Sequence, residues 1–447
     1  MAKVDQRGFD NQPKKSPRPA GRVGAEGDGA RQPVSGTGSD EVLLTAAEAV
    51  RFLNIKKPTL YAYVSRGLVR SVTGEGRRAR KYVKSDLERL RVRQEARSGH
   101  GPVAAAALRW GEPVLESAIS DIGPGGPRYA GHAATTLAAR GVSFERVAEL
   151  LWTLRLPEEE VRWPQVDAGL PRTLWTALIP KGTPPSAALS AIVAALAVRD
   201  PDRFGAPQLQ ELARSRTLIR RMVASLAMAR EPNALEKTLQ AESIAESLGA
   251  AVGAPSTRAA TELLNLALVL WADHELNAST FTARVTASAG ADLYACVGAA
   301  LGTHSGTRHG GSVDRVEALI EEIGRPERVR EVVRARLARG EVVDGFGHLL
   351  YPHGDPRAVP LLQAAHDHAP RNLGVRTVLA LVAAGRERGE HPNVDLATVA
   401  VGKALGLARG QSMALFAIGR SAGWVAHILE QRTQKFLVRP RARYVGP

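Results

Sequence analysis

From about residue 101 to the end of the chain, apolar side chains recur every three to four residues, and nowhere do they sustain the alternation of a half-buried strand. Ala134 to Leu137, Val147 to Leu154, Ala187 to Ala197 and Leu218 to Ala229 carry the pattern most clearly. It restricts this stretch to a mainly α-helical fold. Pro and Gly clusters at 123–127, 180–185 and 352–356 supply the turns. With 447 residues, 44% of them hydrophobic, the chain can bury more than one core, and two or three folded units are expected.

The residues before this stretch read differently. Residues 1–40 are rich in Gly, Pro, Ser, Arg and Asp and hold almost no large apolar side chains. Burial there cannot offset the entropy of ordering, so a disordered tail is expected. Residues 41–96 carry the pattern of a small folded domain. Thr45 stands three residues before Glu48, the spacing of a capping box, and opens a helix to about Phe52. Lys57-Pro58-Thr59 starts a second helix, which carries Leu60, Tyr61, Tyr63 and Val64 and stops at Gly67. Val69, Val72, Tyr82 and Val83 flank the tip Gly74-Glu75-Gly76 and the basic run Arg77 to Lys81, which reads as a hairpin. Ser85 then caps a third helix, Asp86 to about Gln94. Residues 41–100 hold 14 Lys and Arg against 6 Asp and Glu, in a chain of net charge +15, so the cationic excess is local and suits a polyanion.

Helix, turn, helix and basic hairpin make a winged helix-turn-helix. Leu44 to Ala49, Thr59 to Val64 and Tyr82 to Leu90 resemble the MerR-type DNA-binding domain. The resemblance implies a second helix in the major groove and a wing against phosphate, with DNA as a partner of residues 41–96. A dimerisation or peptide-docking module on the same scaffold is the alternative.

The sequence contains no run of about 18 uninterrupted apolar residues and no apolar stretch behind its N-terminus. Neither a membrane span nor a secretory leader is expected, and the expected location is the cytoplasm. Cys296, the one cysteine, lies in the apolar run Leu293 to Leu301. It has no partner for an intrachain disulfide or a thiolate metal cluster and reads as a core residue.

Within the helical region, polar residues concentrate in a few short segments. These are His274 to Thr280, Arg308-His309-Gly310-Gly311, Gly345-Phe346-Gly347-His348 through Asp355-Pro356-Arg357, and Pro392-Asn393-Val394-Asp395. Phe416 to Arg420, followed by Trp424 and His427, and Arg439 to Tyr444 complete the set. A zinc-protease helix would need a second His where Ala278 stands, Gly345 to Gly347 is too short for a dinucleotide fingerprint, and no P-loop Lys follows a Gly cluster.

Together, in this order and with these neighbours, the segments resemble citrate synthase over nearly all of residues 110–447. Glu116 to Ile122 and Ser143 to Ala148 resemble the N-terminal part of that family. The resemblance implies large and small helical domains across 101–447, the small one roughly 309–405, and an obligate homodimer. It implies an acyltransferase of the tricarboxylic acid cycle that condenses acetyl-CoA with oxaloacetate to give citrate and CoA. Both molecules are substrates; no cofactor and no metal is expected.

That chemistry demands a base and hydrogen-bond donors acting together, because the thioester methyl group is far less acidic than a carboxylic acid. By resemblance Asp395 is the base, a neutral His309 donates to the thioester oxygen, and His348 donates to the ketone oxygen of oxaloacetate. Arg357, Arg420 and Arg439 match the family's clamp on the oxaloacetate dianion, with His274 as a further donor. Arg439 is expected to act across the dimer interface. Gly345, Phe346 and Gly347 are expected at the CoA site.

Three departures from the family pattern are visible. Pro352 stands where a basic residue thought to meet CoA phosphate is usual. Arg308 and Ser312-Val313 replace the Leu and Ala-Asn that commonly flank the His, and Ala130 replaces a frequent Arg. Two alternatives follow: a 2-methylcitrate synthase using propionyl-CoA, since one methylene is worth only about 1 to 3 kcal/mol in a pocket, and a DNA-binding regulator whose enzyme-derived region senses a metabolite.

Overall fold

The computed structural model describes residues 43–53, 55–73, 80–88, 90, 115–440, 444 and 446. The chain divides into two compact units, Met1–Val114 and Leu115–Pro447. The expected tail 1–40, the hairpin tip at 74–79 and the end of the third helix at 91–94 lie outside the described residues.

In the first unit, Thr45 and Glu48 close the capping box reciprocally: the Thr45 N–H and hydroxyl each donate to Glu48 at 2.8 Å, and the Glu48 N–H returns to Thr45 Oγ1 at 3.3 Å. The helix α1 (Ala46–Leu53) follows, then α2 (Lys57–Ser65), which ends at Gly67 with φ +70°. The hairpin forms from β2 (Ser71–Thr73) and β3 (Arg80–Val83) in antiparallel register. A third strand, β1 (Leu43–Thr45), was not expected and pairs with the far edge of β3. Its three residues are too few to show alternation, so only the pairing reveals it. The third helix begins at residue 84 rather than after Ser85, which places Ser85 inside the first turn and not at the cap. Ala49, Leu53, Leu60, Val69, Tyr82, Leu87 and Leu90 form a separate core. Asp86, buried there, accepts the N–H of Arg70 at 2.9 Å and its Nε at 3.0 Å.

The second unit is helical, as the periodicity requires. The four segments singled out above fall in helices Ala134–Ala139, Phe144–Thr153, Pro185–Arg199 and Gln208–Arg230, with Leu154 as the left-handed C-cap of the second. One small antiparallel sheet, Ser120–Gly123, Gly126–Tyr129 and His132–Ala133, precedes them. A single continuous apolar core runs from Ile119 to Ile428, and the helices between Ser312 and Ala404, expected as a small domain, share it. Helix Gln411–Thr433 is long and apolar enough to cross a membrane by length and composition, but 94% of its apolar window is buried inside the fold. It is the central packing element of the unit. Cys296 is fully buried, and burial pushes its thiol up to about 12.

Candidate active site

The polar segments sit where helices break. Helix Arg258–Trp271 ends just before Asp273-His274, and Glu275 takes a left-handed φ of +51°, which turns the chain into helix Ala278–Ser288. Asn277 caps that helix, its Oδ1 accepting the Thr280 N–H at 3.2 Å. The break leaves the His274 ring buried and facing Tyr351, with Nε2 2.9 Å from the phenol oxygen.

His348 packs beside the same group, its ring centroid 5.3 Å from that of His274 and 4.9 Å from that of Tyr351. The Leu350 N–H donates to His348 Nδ1 at 3.2 Å, so the ring proton resides on Nε2, and His348 is a donor at that atom. The loop that carries it is tied by backbone to the segment before Asp395. Asn393 N–H donates to the Gly345 carbonyl at 3.0 Å, and Gly347 N–H to the His391 carbonyl at 2.9 Å. Gly345, at φ +97°, is needed for this fit, because a Cβ there would sit 3.0 Å from Leu396. Phe346 turns its ring inward onto helix Leu373–Glu387 at Gly385, with Arg388 5.7 Å from the ring centroid. In this structure the Gly345-Phe346-Gly347 triplet braces the His348 loop.

Asp395 lies in the first turn of helix Val394–Ala404, capped by Asn393, and its partly buried carboxylate accepts the Ser312 hydroxyl at 2.6 Å. Burial raises its pKa above the usual range, against the opposing pull of Ser312, Arg357 and Arg315. A carboxylate so placed is a stronger base than one in water.

His309 Nε2 faces Ser279. The Ser279 backbone N–H, which can only donate, points at it at 3.4 Å, and Ser279 Oγ lies 2.8 Å away. The backbone N–H contact favours Nε2 as the acceptor and the ring proton on Nδ1, while Ser279 Oγ also lies 2.8 Å from Asn277 Oδ1. Trp424 Nε1–H donates to the same Ser279 Oγ at 3.0 Å and orients it. Burial, aided by the positive charge of Arg420, pushes His309 down to about 4, so it is neutral near pH 7. His274 is driven well below its ordinary value by burial, Arg357 and Arg420, and His348 is lowered by burial and Arg357.

Two guanidiniums stand in this interior. Arg357 is buried and paired with Asp355 through Nε at 3.0 Å and Nη2 at 2.7 Å. Burial alone would lower Arg357, but Asp355 outweighs it and holds the group above its ordinary value. Asp355 Oδ2 also accepts the Val394 N–H at 3.3 Å, which ties this pair to the helix of Asp395. Arg420 is buried, gives Nε to the Trp271 carbonyl at 2.8 Å, and lies over Phe416 with its guanidinium carbon 4.9 Å from the ring centroid. Burial and the neighbouring Arg357 outweigh Asp273 and lower Arg420 to about 10. Asp273 stays ionised below the usual carboxylate range, because His427, Arg420 and Ser120 together outweigh its burial.

The outcome is a buried cluster of two cations, three neutral imidazoles and the Asp395 carboxylate, with Asp355 and Asp273 beside the cations. Such a cluster favours a small, doubly negative ligand and a reaction that moves one proton from carbon. His274, His309, His348, Arg357, Asp395 and Arg420 are thus linked by contact or by their mutual fields. Arg439 is not among them within one chain. It lies exposed in the extended segment after the last helix and, among the described residues, makes no hydrogen bond or ion pair. Among the described residues no group of three or more His, Cys, Asp or Glu is placed to hold a metal ion. Sequence reasoning gave no role to Ser279, Tyr351 or Asp355. Asp355 and Tyr351 stand two residues before Arg357 and three after His348, and that proximity was the available signal.

Comparison with known proteins follows the same division. Residues 107–441 match the family model for the citrate synthase C-terminal domain, and residues 43–94 match a helix-turn-helix domain model. The chain is 33% identical to citrate synthase 2 of Bacillus subtilis over 327 residues, covering 68% of this chain and 86% of that protein. It is also 33% identical to 2-methylcitrate synthase of Mycobacterium tuberculosis over 338 residues, covering 71% and 84%. Among solved structures, citrate synthase from the archaeon Thermoplasma acidophilum, in ternary complex with carboxymethyl coenzyme A and oxaloacetate, superposes with a TM-score of 0.66. The identity is 29%, and the match covers 75% of this chain and 94% of that one. Citrate synthase from Thermotoga maritima gives 0.63 at 29% identity, with the same coverage.

Proposed function

Since the chain belongs to the citrate synthase family, we propose that it condenses acetyl-CoA with oxaloacetate, with Asp395 as the base and His309 and His348 as donors. The observation that carries this reading is the pair of buried guanidiniums, Arg357 and Arg420, set beside the Asp395 carboxylate, whose hydrogen-bond partner is the neutral Ser312 hydroxyl. Arg357 is already matched by Asp355 and Arg420 only partly by Asp273, so the interior has room for added negative charge. A dicarboxylate supplies it.

In this reading oxaloacetate binds between Arg357, Arg420 and His274, with its ketone oxygen against His348 Nε2–H. Asp395 removes a proton from the thioester methyl carbon while His309 Nδ1–H stabilises the oxygen of the forming enolate. The enolate carbon attacks the ketone, and the alkoxide is neutralised through His348. Water then hydrolyses the thioester and releases CoA. The neutral state of both histidines supports the scheme, since each must donate without first taking a proton from solvent. Arg439, exposed in the single chain, fits a clamp completed across a homodimer. The cytoplasm is the location this reading proposes.

Propionyl-CoA is the second candidate for the acyl donor, on the strength of the equal identity to a 2-methylcitrate synthase. The helix-turn-helix match and the local excess of Lys and Arg over residues 41–100 support a role in DNA binding beside the enzyme activity. One assay addresses the first two readings: release of free thiol from each acyl-CoA, with and without oxaloacetate. Oxaloacetate-dependent release is expected, and Asp395→Ala is expected to abolish it. An unchanged rate in that variant refutes the assigned mechanism. Salt-dependent binding of one DNA sequence over others tests the first unit, and the absence of any preference counts against it.

A further inference from the structure

The turn that follows His309 does more than connect two helices. Gly311 N–H donates to the carbonyls of His304 and Gly306, both at 3.2 Å, and Ser312 N–H donates to the His309 carbonyl at 2.8 Å. No side chain fits at Gly311, where a Cβ would sit 2.8 Å from the Ser305 carbonyl oxygen and 2.9 Å from that of Gly306. The turn is therefore tight, and it delivers Ser312 as the first residue of helix Ser312–Ile323. From there the Ser312 hydroxyl reaches across 83 positions of sequence to Asp395 Oδ2 at 2.6 Å. Ser312 is also one of the positions at which the chain departs from the family pattern, where an alanine would offer no such donor.

We propose that Ser312 is a positioning residue for the general base: its hydroxyl holds Asp395 Oδ2, leaves Oδ1 to meet the thioester methyl group, and sets the distance between base and His309. This rests on the condensing activity proposed above. A carboxylate on a single Cβ can rotate about χ2, and the backbone donors near it go to other acceptors: Asp395 N–H is spent on the Asn393 side chain at 3.1 Å, and Val394 N–H on Asp355. Ser312 is the side chain that hydrogen-bonds the Asp395 carboxylate among the described residues. Because Ser312 and His309 share one turn, the same hydrogen bond couples the base to the enolate donor. It also tempers basicity. The hydroxyl stabilises the carboxylate, as do Arg357 and Arg315, whereas burial and Asp355 favour the protonated acid.

The test uses the full chain with Ser312→Ala and Ser312→Thr. Removing a donor to a carboxylate raises its pKa, so the acid limb of kcat/KM for acetyl-CoA at saturating oxaloacetate should move up by about one pH unit in Ser312→Ala. Its kcat at the plateau should fall by about tenfold, as a carboxylate freed to rotate spends less time aligned. Ser312→Thr, which keeps the hydroxyl, should restore both. An acid limb that stays in place, or a threonine variant that behaves as alanine does, overturns the proposal. Infrared difference titration of the Asp395 carboxyl, assigned by its loss in Asp395→Asn, reads the same bond without turnover. If the unmodified protein releases no thiol with oxaloacetate, the activity fails on its own account. An upward shift of that carboxyl band in Ser312→Ala still supports the hydrogen bond, and an unmoved band still overturns it.

Discussion

Holding His309 neutral has a thermodynamic consequence that can be read without substrate. The imidazole has an ordinary pKa of 6.5 and is pushed down to about 4 in the fold, by burial and then by Arg420. Between those values the unfolded chain binds a proton at this ring that the folded chain refuses. Stability therefore rises with pH across this window; the contribution is whole above about pH 6.5 and is lost progressively as pH falls toward 4. At pH 5 the unfolded ring is almost fully protonated and the folded ring about one-tenth so, which amounts to about 2 kcal/mol of lost stability relative to pH 7. His309→Asn removes the titration and keeps a polar side chain of similar reach. Urea unfolding at pH 7 and pH 5, followed by indole emission, is a suitable assay because five of the six tryptophans lie in Leu115–Pro447. His274, His304 and His348 are also lowered and lose stability in acid in both proteins, so the comparison reads His309 together with the smaller part of the His304 shift that His309 causes. The unmodified chain should lose about 2 kcal/mol more than His309→Asn on going from pH 7 to pH 5. Parallel losses would refute the argument that His309 is held uncharged.

Other consequences follow from the same interior. Arg420→Leu should raise the KM for oxaloacetate by about 30- to 1,000-fold through loss of charge-assisted hydrogen bonds, with a smaller effect on the KM for acetyl-CoA; steady-state kinetics in both substrates checks this. Ser279→Ala should lower kcat by up to about 100-fold while leaving the KM for oxaloacetate nearly unchanged, because it releases the tautomer of His309 and does not touch the clamp. Gly385→Val should collide with the Phe346 ring, which leaves no room for even a Cβ. It should displace the His348 loop and lower kcat by on the order of 100-fold, with the helical circular dichroism retained.

The helical nature of residues 115–440 was legible because burial on one face of a helix leaves a periodic trace that survives without neighbours. The strand Leu43–Thr45 was not, since its partner Val83 is forty positions away and three residues hold no period. The start of the third helix at residue 84 departs from the expected cap for a related reason: a serine favours a cap, but here strand β3 runs directly into the helix. In the site, histidines, arginines and the aspartate stood out as polar residues in apolar surroundings. Their states did not. The tautomer of His309 depends on Ser279 and Trp424, which are 145 positions apart, and that of His348 on one backbone N–H. Asp355 displaces Arg357 upward against its burial, whereas burial and Arg357 displace Arg420 downward against Asp273, and these neighbours meet only in space.

The loop 345–347 and the segment 391–393 are joined through main-chain N–H and C=O groups, apart from one side-chain contact, Asn393 Nδ2 to the Gly347 carbonyl at 3.3 Å. Most substitutions leave those groups in place; a side chain added at Gly345 or Gly385 does not, since it meets Leu396 or Phe346. The spacing of His348 and Asp395 is accordingly inherited with the backbone, while residues around it can drift. For an evolving or engineered lineage this separates two traits: side chains around the loop can change outside those two glycines, and the spacing of His348 and Asp395 stays as it was.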